Sequence, residues 1–217
     1  MTKICHISDT HGKFPKLNGN FDIILHTGDF FPKSVYRQAG NFDKEKEFEI
    51  YWLYENLNII KKWLTKPFLF VLGNHDFVPP SFFQNILNEA NIEAYNLHDK
   101  IFSYHDYNFY GFPYVNYING NFKYELNQFE MFDKVKEFEF LANQAYIDVI
   151  AAHSPVYNIL DSGFGNVHMA NALFYGIHRD LKPKLYACGH IHESHGILTY
   201  KDIIYSNAAT IQNIIEI

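Results

Sequence analysis

Five short clusters in this chain place carboxylate, amide and imidazole side chains at the ends of apolar runs. They are Ser8-Asp9-Thr10-His11-Gly12, Thr27-Gly28-Asp29, Gly73-Asn74-His75-Asp76, His153-Ser154-Pro155 and Gly189-His190-Ile191-His192. Each alone reads as an ordinary polar turn, since Asn, Asp and Gly are turn residues. Together, Asp9, His11, Asp29, Asn74, His153, His190 and His192 form a set of oxygen and nitrogen donors suited to divalent manganese, iron, zinc, nickel or cobalt. Asp29, the one donor on its own strand, is the bridging candidate. Only two donors are carboxylates, so two divalent ions would leave an excess of positive charge that attracts a phosphate. A metal pair acidifies a shared water and stabilises both the attacking and the leaving oxygen of an in-line displacement. The chemistry that fits is phosphoester hydrolysis, with a metal-bridging hydroxide as nucleophile. His75 is then the candidate proton donor to the leaving oxygen, or a phosphate ligand, and Asp76 a neighbour able to orient it. Asn74, His75 and His153 are candidates to hold phosphoryl oxygens. Phe30 and Tyr114, with Phe31, Tyr117 and Phe164, lie beside these clusters and could stack a base or simply pack.

The elements that must position these groups are legible from pattern. Lys3–Ile7, Phe21–His26, Phe68–Leu72, Ile147–Ala152 and Lys184–Cys188 read as strands, each leading into one cluster. Within Asp9-Thr10-His11 and His190-Ile191-His192, two-residue spacing on an extended chain would point both members of a pair the same way. Residues 41–64 show apolar side chains near helical spacing, Pro79-Pro80-Ser81 opens a second helix to about Ala90, and 126–145 and 168–180 return to a helical pattern. Strand and helix alternation implies a largely parallel sheet with helices outside. Segments 100–104 and 108–112 around His105-Asp106-Tyr107 read as a hairpin, and three short strands close the chain after Gly196. Residues 114–124 read as a Tyr- and Asn-rich loop. The lysines and glutamates around Glu45, Glu47 and Glu49 read as a solvated helix face.

With 217 residues the chain suits one domain over 1–217 with one sizeable core. A net charge of −6 argues against a broad basic face for long nucleic acid, while leaving room for a nucleotide-sized substrate held by metals. Cys5 and Cys188 sit inside apolar runs and read as buried thiols rather than a disulfide. No leader pattern and no run of membrane-spanning length is visible, so a soluble, cytoplasmic protein without a membrane partner is the default.

Asp-x-His, Gly-Asp, Gly-Asn-His-Asp, a lone His and Gly-His-x-His, in this order from Ser8 to His192, resemble the calcineurin-like metallophosphoesterase superfamily. The resemblance implies a four-layer α-β-β-α sandwich of two facing mixed sheets. It also implies a metal held by Asp9, His11, Asp29 and His192, a second held by Asp29, Asn74, His153 and His190, and His75 as proton donor. Leu25-His26-Thr27-Gly28-Asp29-Phe30, His153-Ser154-Pro155 with Asp161, and the stretch from Gly189 to Gly196 with Ser206-Asn207-Ala208 are similar to the small class III-type phosphodiesterases. That branch includes metallophosphoesterase-domain proteins and cyclic-nucleotide phosphodiesterases. Its members that lack the His of Gly-Asn-His are weak enzymes, whereas this chain keeps His75. The resulting expectation is a manganese-dependent phosphodiesterase on small, cyclic nucleotides. The rivals are a phosphomonoesterase, a nuclease, and a non-catalytic scaffold on the same fold.

Overall fold

The computed structural model describes residues 1–163 and 181–217. Two sheets face each other. The first has the order β13-β1-β2-β3-β4, built from Gln212–Glu216 (β13), Lys3–Ile7 (β1), Ile23–Thr27 (β2), Phe68–Val71 (β3) and Ala94–Asn96 (β4). Strands β1 to β4 run parallel and β13 pairs antiparallel with β1. The second has the order β11-β12-β10-β9-β6-β5, from Gly196–Tyr200 (β11), Ile203–Asn207 (β12), Leu185–Cys188 (β10), Val149–Ala152 (β9), Tyr107–Phe112 (β6) and Ile101–Tyr104 (β5). Its four inner strands are parallel and its two edge strands antiparallel, so both sheets are mixed. A small parallel pair, Val115–Asn116 (β7) and Glu125–Leu126 (β8), brackets the Tyr-rich segment.

Side-chain alternation along each strand builds the layers. Ile4, Ile23, Leu25, Leu69 and Val71 point between the sheets and meet Phe109, Val149, Ala151, Leu185 and Ala187 from the other side. Their neighbours Cys5, Ile7, Ile24, Phe68 and Phe70 point outward and pack under the helices Phe42–Trp63 (α2) and Pro80–Glu89 (α3) through Leu53, Ile60, Phe83 and Leu87. On the far face, Tyr110, Ile150, Tyr186 and Cys188 pack under Gln128–Ala142 (α4) through Met131, Val135 and Phe138. The result is the four-layer sandwich. Both cysteines are free and buried. No described helix is long and apolar enough to cross a membrane.

Capping decides the helix ends. Asn41 accepts from Lys44 N at the start of α2, and Asn127 with Glu130 forms a reciprocal capping box on α4. The sequence pattern misses β4, β7, β8 and the one-turn helix Val35–Gln38 (α1), all too short to show a period. The helix expected over 168–180 lies outside the described residues. One reading is overturned: Glu45 and Glu49 are fully buried, not solvated. Glu45 accepts from Ser34 N, Ser34 Oγ and Arg37 N, and Glu49 from Phe77 N and Val78 N. Two carboxylates one helical turn apart therefore hold the loops that follow β2 and β3. Burial, then the charge of Asp76, pushes the Glu49 carboxyl up to about 10.

Candidate metal centre

The carboxyl ends of β1, β2, β3, β9 and β10 meet at one rim, where α/β sheets place their ligands. The loops leaving β1 and β2 are laced together: Asp9 N donates to Gly28 O, His11 N to Asp29 O and Gly12 N to Phe30 O. Lacing forces unusual backbone. Asp9, His11, Asp29 and His190 all have φ between 45° and 68°, a region that costs a non-glycine residue about 1–3 kcal/mol. The extended-chain argument for Asp9-x-His11 and His190-x-His192 therefore fails. His192 opens a 3-10 turn, and each pair is aimed by left-handed backbone rather than by strand alternation.

Two glycines make room for the convergence. A Cβ on Gly73 would run into Asp29 Oδ1, and one on Gly189 into Ser8 Oγ and Asp9 Oδ2. Donor atoms of Asp9, His11 and His192 lie within 4.8 Å of one another, as do those of Asp9, Asp29 and His153. His192 Nε2 sits 3.0 Å from Asp9 Oδ1, and His190 N donates to Asp9 Oδ2 at 2.9 Å. His153 Nε2 is 2.9 Å from Asn74 Oδ1 and 3.4 Å from Asp29 Oδ1. His11 Nε2 and His75 Nε2 each stand 3.7 Å from Asp29 Oδ2. The His190 ring packs edge-on against His153 at 5.0 Å.

These residues fit a pair of cations. Both ring nitrogens of His11 and Nδ1 of His75 are buried with no hydrogen-bond partner among the described residues, which is costly unless another group meets them. Burial, then the negative charge of Asp9, pushes the Asp29 carboxyl well above the usual carboxylate range, with Lys33 and Arg37 opposing. Burial works the same way on Asp9, but His192, the charge of His153, Ser8 and the His190 amide hold it below that range. Two buried carboxylates this close cannot both ionise without added positive charge. Burial, then Lys33, lowers His11 to about 3, and burial with His153 lowers His190 to about 3. Both imidazoles are thus neutral, the form that binds metal. His192 is raised, first by its bond to Asp9.

The supporting shell is polar and complete. His6 bridges Ser206 Oγ at 2.7 Å and Thr27 Oγ1 at 2.9 Å, and His26 contacts Thr10 Oγ1 and Gly28 N. His153 Nδ1 bonds Thr27 O, which fixes the ring and frees Nε2 for the site. The exposed His195 braces the 3-10 turn through the His192 carbonyl.

Three sequence-based assignments are corrected. Asp76 does not orient His75: its oxygens accept from Gly73 N, Phe30 N and Phe31 N, so it ties the β3 loop to the β2 loop. Burial and Asp29 push its carboxyl up to about 7. Phe30 cannot stack a substrate, because it is buried among Trp52, Phe31, Phe68 and Phe83. Tyr114 is buried too, its hydroxyl spent on Asp99 at 2.5 Å. Phe31 shares the Phe30 core, Tyr117 is exposed, and Phe164 lies outside the described residues. Sequence reasoning missed Phe122, whose ring stands 5.1 Å from His75, and Arg37, whose guanidinium lies over Phe122. The one signal for Arg37 was its rarity, since Arg37 and Arg179 are the only arginines among 18 basic residues.

The sequence profile of the calcineurin-like phosphoesterases matches residues 2–194. The chain belongs to the calcineurin-like phosphoesterase family. Solved structures share its fold at low identity. They include the protein TT1561 of Thermus thermophilus, with 12% identity and a TM-score of 0.60 over 96% of this chain and 89% of that one. A dimetal phosphatase from Danio rerio shows 13% and 0.54 over 95% and 86%. The phosphopantetheinyl hydrolase from Mycobacterium tuberculosis shows 12% and 0.54 over 95% and 88%. A calcineurin-like phosphoesterase fold implies a dinuclear divalent metal site, and the donors gathered at this rim are its candidate ligands.

Proposed function

We propose that this calcineurin-like phosphoesterase is a hydrolase of small phosphodiesters, with nucleotides, cyclic ones included, as the substrate class and manganese as the working metal, the whole of 1–217 acting as one catalytic unit. The observation that carries the reading is the cluster of buried carboxylates with imidazole nitrogens that have no partner among the described residues, a cluster whose Asp9, His11 and His192 line a cleft of about 480 Å³. Ser8, Asp9, His11, Lys13, Phe14 and Ile211 line that cleft, whose volume suits a single nucleotide-sized ligand. The branch-like stretches from Leu25 to Phe30 and from Gly189 to Gly196, together with the acidic net charge, favour a small diester over a nucleic-acid end.

In this reading Asp9, His11, Asp29 and His192 hold one ion, and Asp29, Asn74, His153 and His190 the other. Bound ions supply an acidified water and positive charge for the phosphoryl oxygens. The chain does the rest. Asp29 faces both halves, since His11 and His75 approach its Oδ2 and His153 its Oδ1. His153 Nε2 and Asn74 Oδ1, 2.9 Å apart, present two acceptor atoms side by side and form one wall of the site. His75 has its backbone N–H fixed on Asp29 Oδ1 at 2.9 Å and its Nδ1 free, so its ring can carry a proton to the departing oxygen.

The test is hydrolysis of bis-p-nitrophenyl phosphate against p-nitrophenyl phosphate by manganese-reconstituted protein, with a chelator control. A diester preference lost on chelation is the expected outcome. A monoester preference would make the protein a phosphatase, and absence of both activity and bound metal would make it a scaffold.

A further inference from the structure

His75, which does not itself line the cleft, borders an aromatic and basic pair formed by Phe122 and Arg37. The His75 ring packs edge-on against Phe122 at 5.1 Å, and the Arg37 guanidinium carbon lies 5.0 Å above the Phe122 centroid. The guanidinium thus stands one aromatic ring away from the proposed proton donor. Among the described residues its buried Nη1 has no hydrogen-bond partner and it forms no ion pair. No carboxylate is paired with it among the described residues, although Glu49 Oε1 is likewise buried without a partner there. Glu45 takes the amides of Ser34 and Arg37 itself, Glu49 Oε2 takes those of Phe77 and Val78, and Asp29 belongs to the metal centre. Burial lowers the guanidinium only against the pull of Asp29, Glu45 and Glu49, which marks how close it lies to the centre.

Arg37 is also pre-positioned. Its backbone N–H donates to the fully buried Glu45 at 2.9 Å, and Ser34 caps the same turn. A fixed backbone and a ring beneath the guanidinium seat the side chain, and a guanidinium so seated offers the planar donors that read phosphate or carboxylate in two-point fashion. A solvated lysine would give charge without direction.

We propose that Arg37, seated on Phe122, is a specificity-determining anion subsite. It takes a second anionic group of the substrate, beyond the phosphate being cleaved, so that the preferred nucleotides carry an additional phosphate. This rests on the phosphodiesterase reading above and narrows it: a cyclic mononucleotide, with one phosphate, would leave Arg37 unused.

The test is calorimetric titration with thymidine 3′,5′-bisphosphate and with thymidine 5′-monophosphate, on manganese-loaded and on metal-free protein. The bisphosphate should bind about tenfold to hundredfold more tightly in both, the worth of a charge-assisted phosphate contact. Arg37→Gln should remove that preference, Arg37→Lys restore part of it, and Phe122→Leu reduce it by loosening the guanidinium. Thermal melts within a few degrees of the parent would show that the variants are folded. Equal binding of the two ligands by the parent protein, or an equal loss of both in Arg37→Gln, would overturn the subsite. A preference that Arg37→Gln abolishes, in a protein that cleaves no phosphodiester, would sustain the subsite and remove the phosphodiesterase reading instead.

Discussion

The two sheets contribute unlike halves to the centre. The first supplies Asp9, His11, Asp29, Asn74 and His75, which include both donor carboxylates. The second supplies His153, His190 and His192, all imidazoles. Within the second set burial varies: the His153 side chain is fully buried, while His192 is 42% exposed at the cleft. The carboxylates therefore come from one sheet alone, and neither half is a site by itself. The halves meet only because the inner faces of both sheets pack on one apolar layer.

The largest effect should come from the charged half. Asp29→Ala is expected to bring activity to background and to lower metal content for both ions together, checked by elemental analysis beside turnover. A variant that keeps two metals per chain and full turnover would break the contrast, since the first sheet would then not carry the bridge.

The next effect separates work within the first sheet. His75 lies outside the proposed ligand set yet stands 3.7 Å from Asp29, and its Nδ1 has no partner among the described residues. His75→Ala should leave metal content near that of the parent and slow alkyl phosphodiesters by about 10²–10⁴-fold. Nitrophenyl diesters, whose leaving group needs no proton, should slow far less. Equal slowing of both would make His75 a phosphate ligand.

The smallest effect near neutral pH concerns a second imidazole that, like His153, joins the two sheets. His6 lies on β1 and bonds Ser206 of β12. Burial, then His26, with Asp9 opposing, lowers its folded-state pKa from 6.5 to about 3. The folded chain therefore holds His6 neutral, while the unfolded chain takes up a proton below about pH 6.5. The stability this confers is complete above 6.5 and declines as pH falls toward 3. Denaturant unfolding at stepped pH should show that decline, and His6→Gln should flatten it by about one proton. An unchanged slope would place the acid sensitivity elsewhere.

Legibility in the sequence followed residue chemistry more closely than backbone geometry. Strands of four or five residues with continuous apolar character, such as Phe68–Val71, were readable because they are buried on both faces, whereas the division into two facing sheets came only with the family resemblance. All seven candidate donors were readable by type, and the structure gathers these residues at one rim. Their aim was not, because left-handed backbone at Asp9, His11, Asp29 and His190 arises from lacing between loops far apart in sequence. For the same reason Phe30 looked available and is core, and Glu45 and Glu49 looked solvated and are buried. Arg37 and Phe122 escaped notice because the long stretch of chain between them carries no pattern that brings them together.

The glycines of the rim also bear on whether the site can be transplanted. Gly73 leaves space that Asp29 occupies, and Gly189 leaves space that Ser8 and Asp9 occupy. Each motif is thus the receptacle for a side chain of another, in the manner of interlocking tenons. A single strand end grafted onto a foreign sandwich would carry its donors but not the hollows they need. A working graft would have to move the loops of both sheets as one unit, and a relative without these donors would be free to fill those hollows with larger residues.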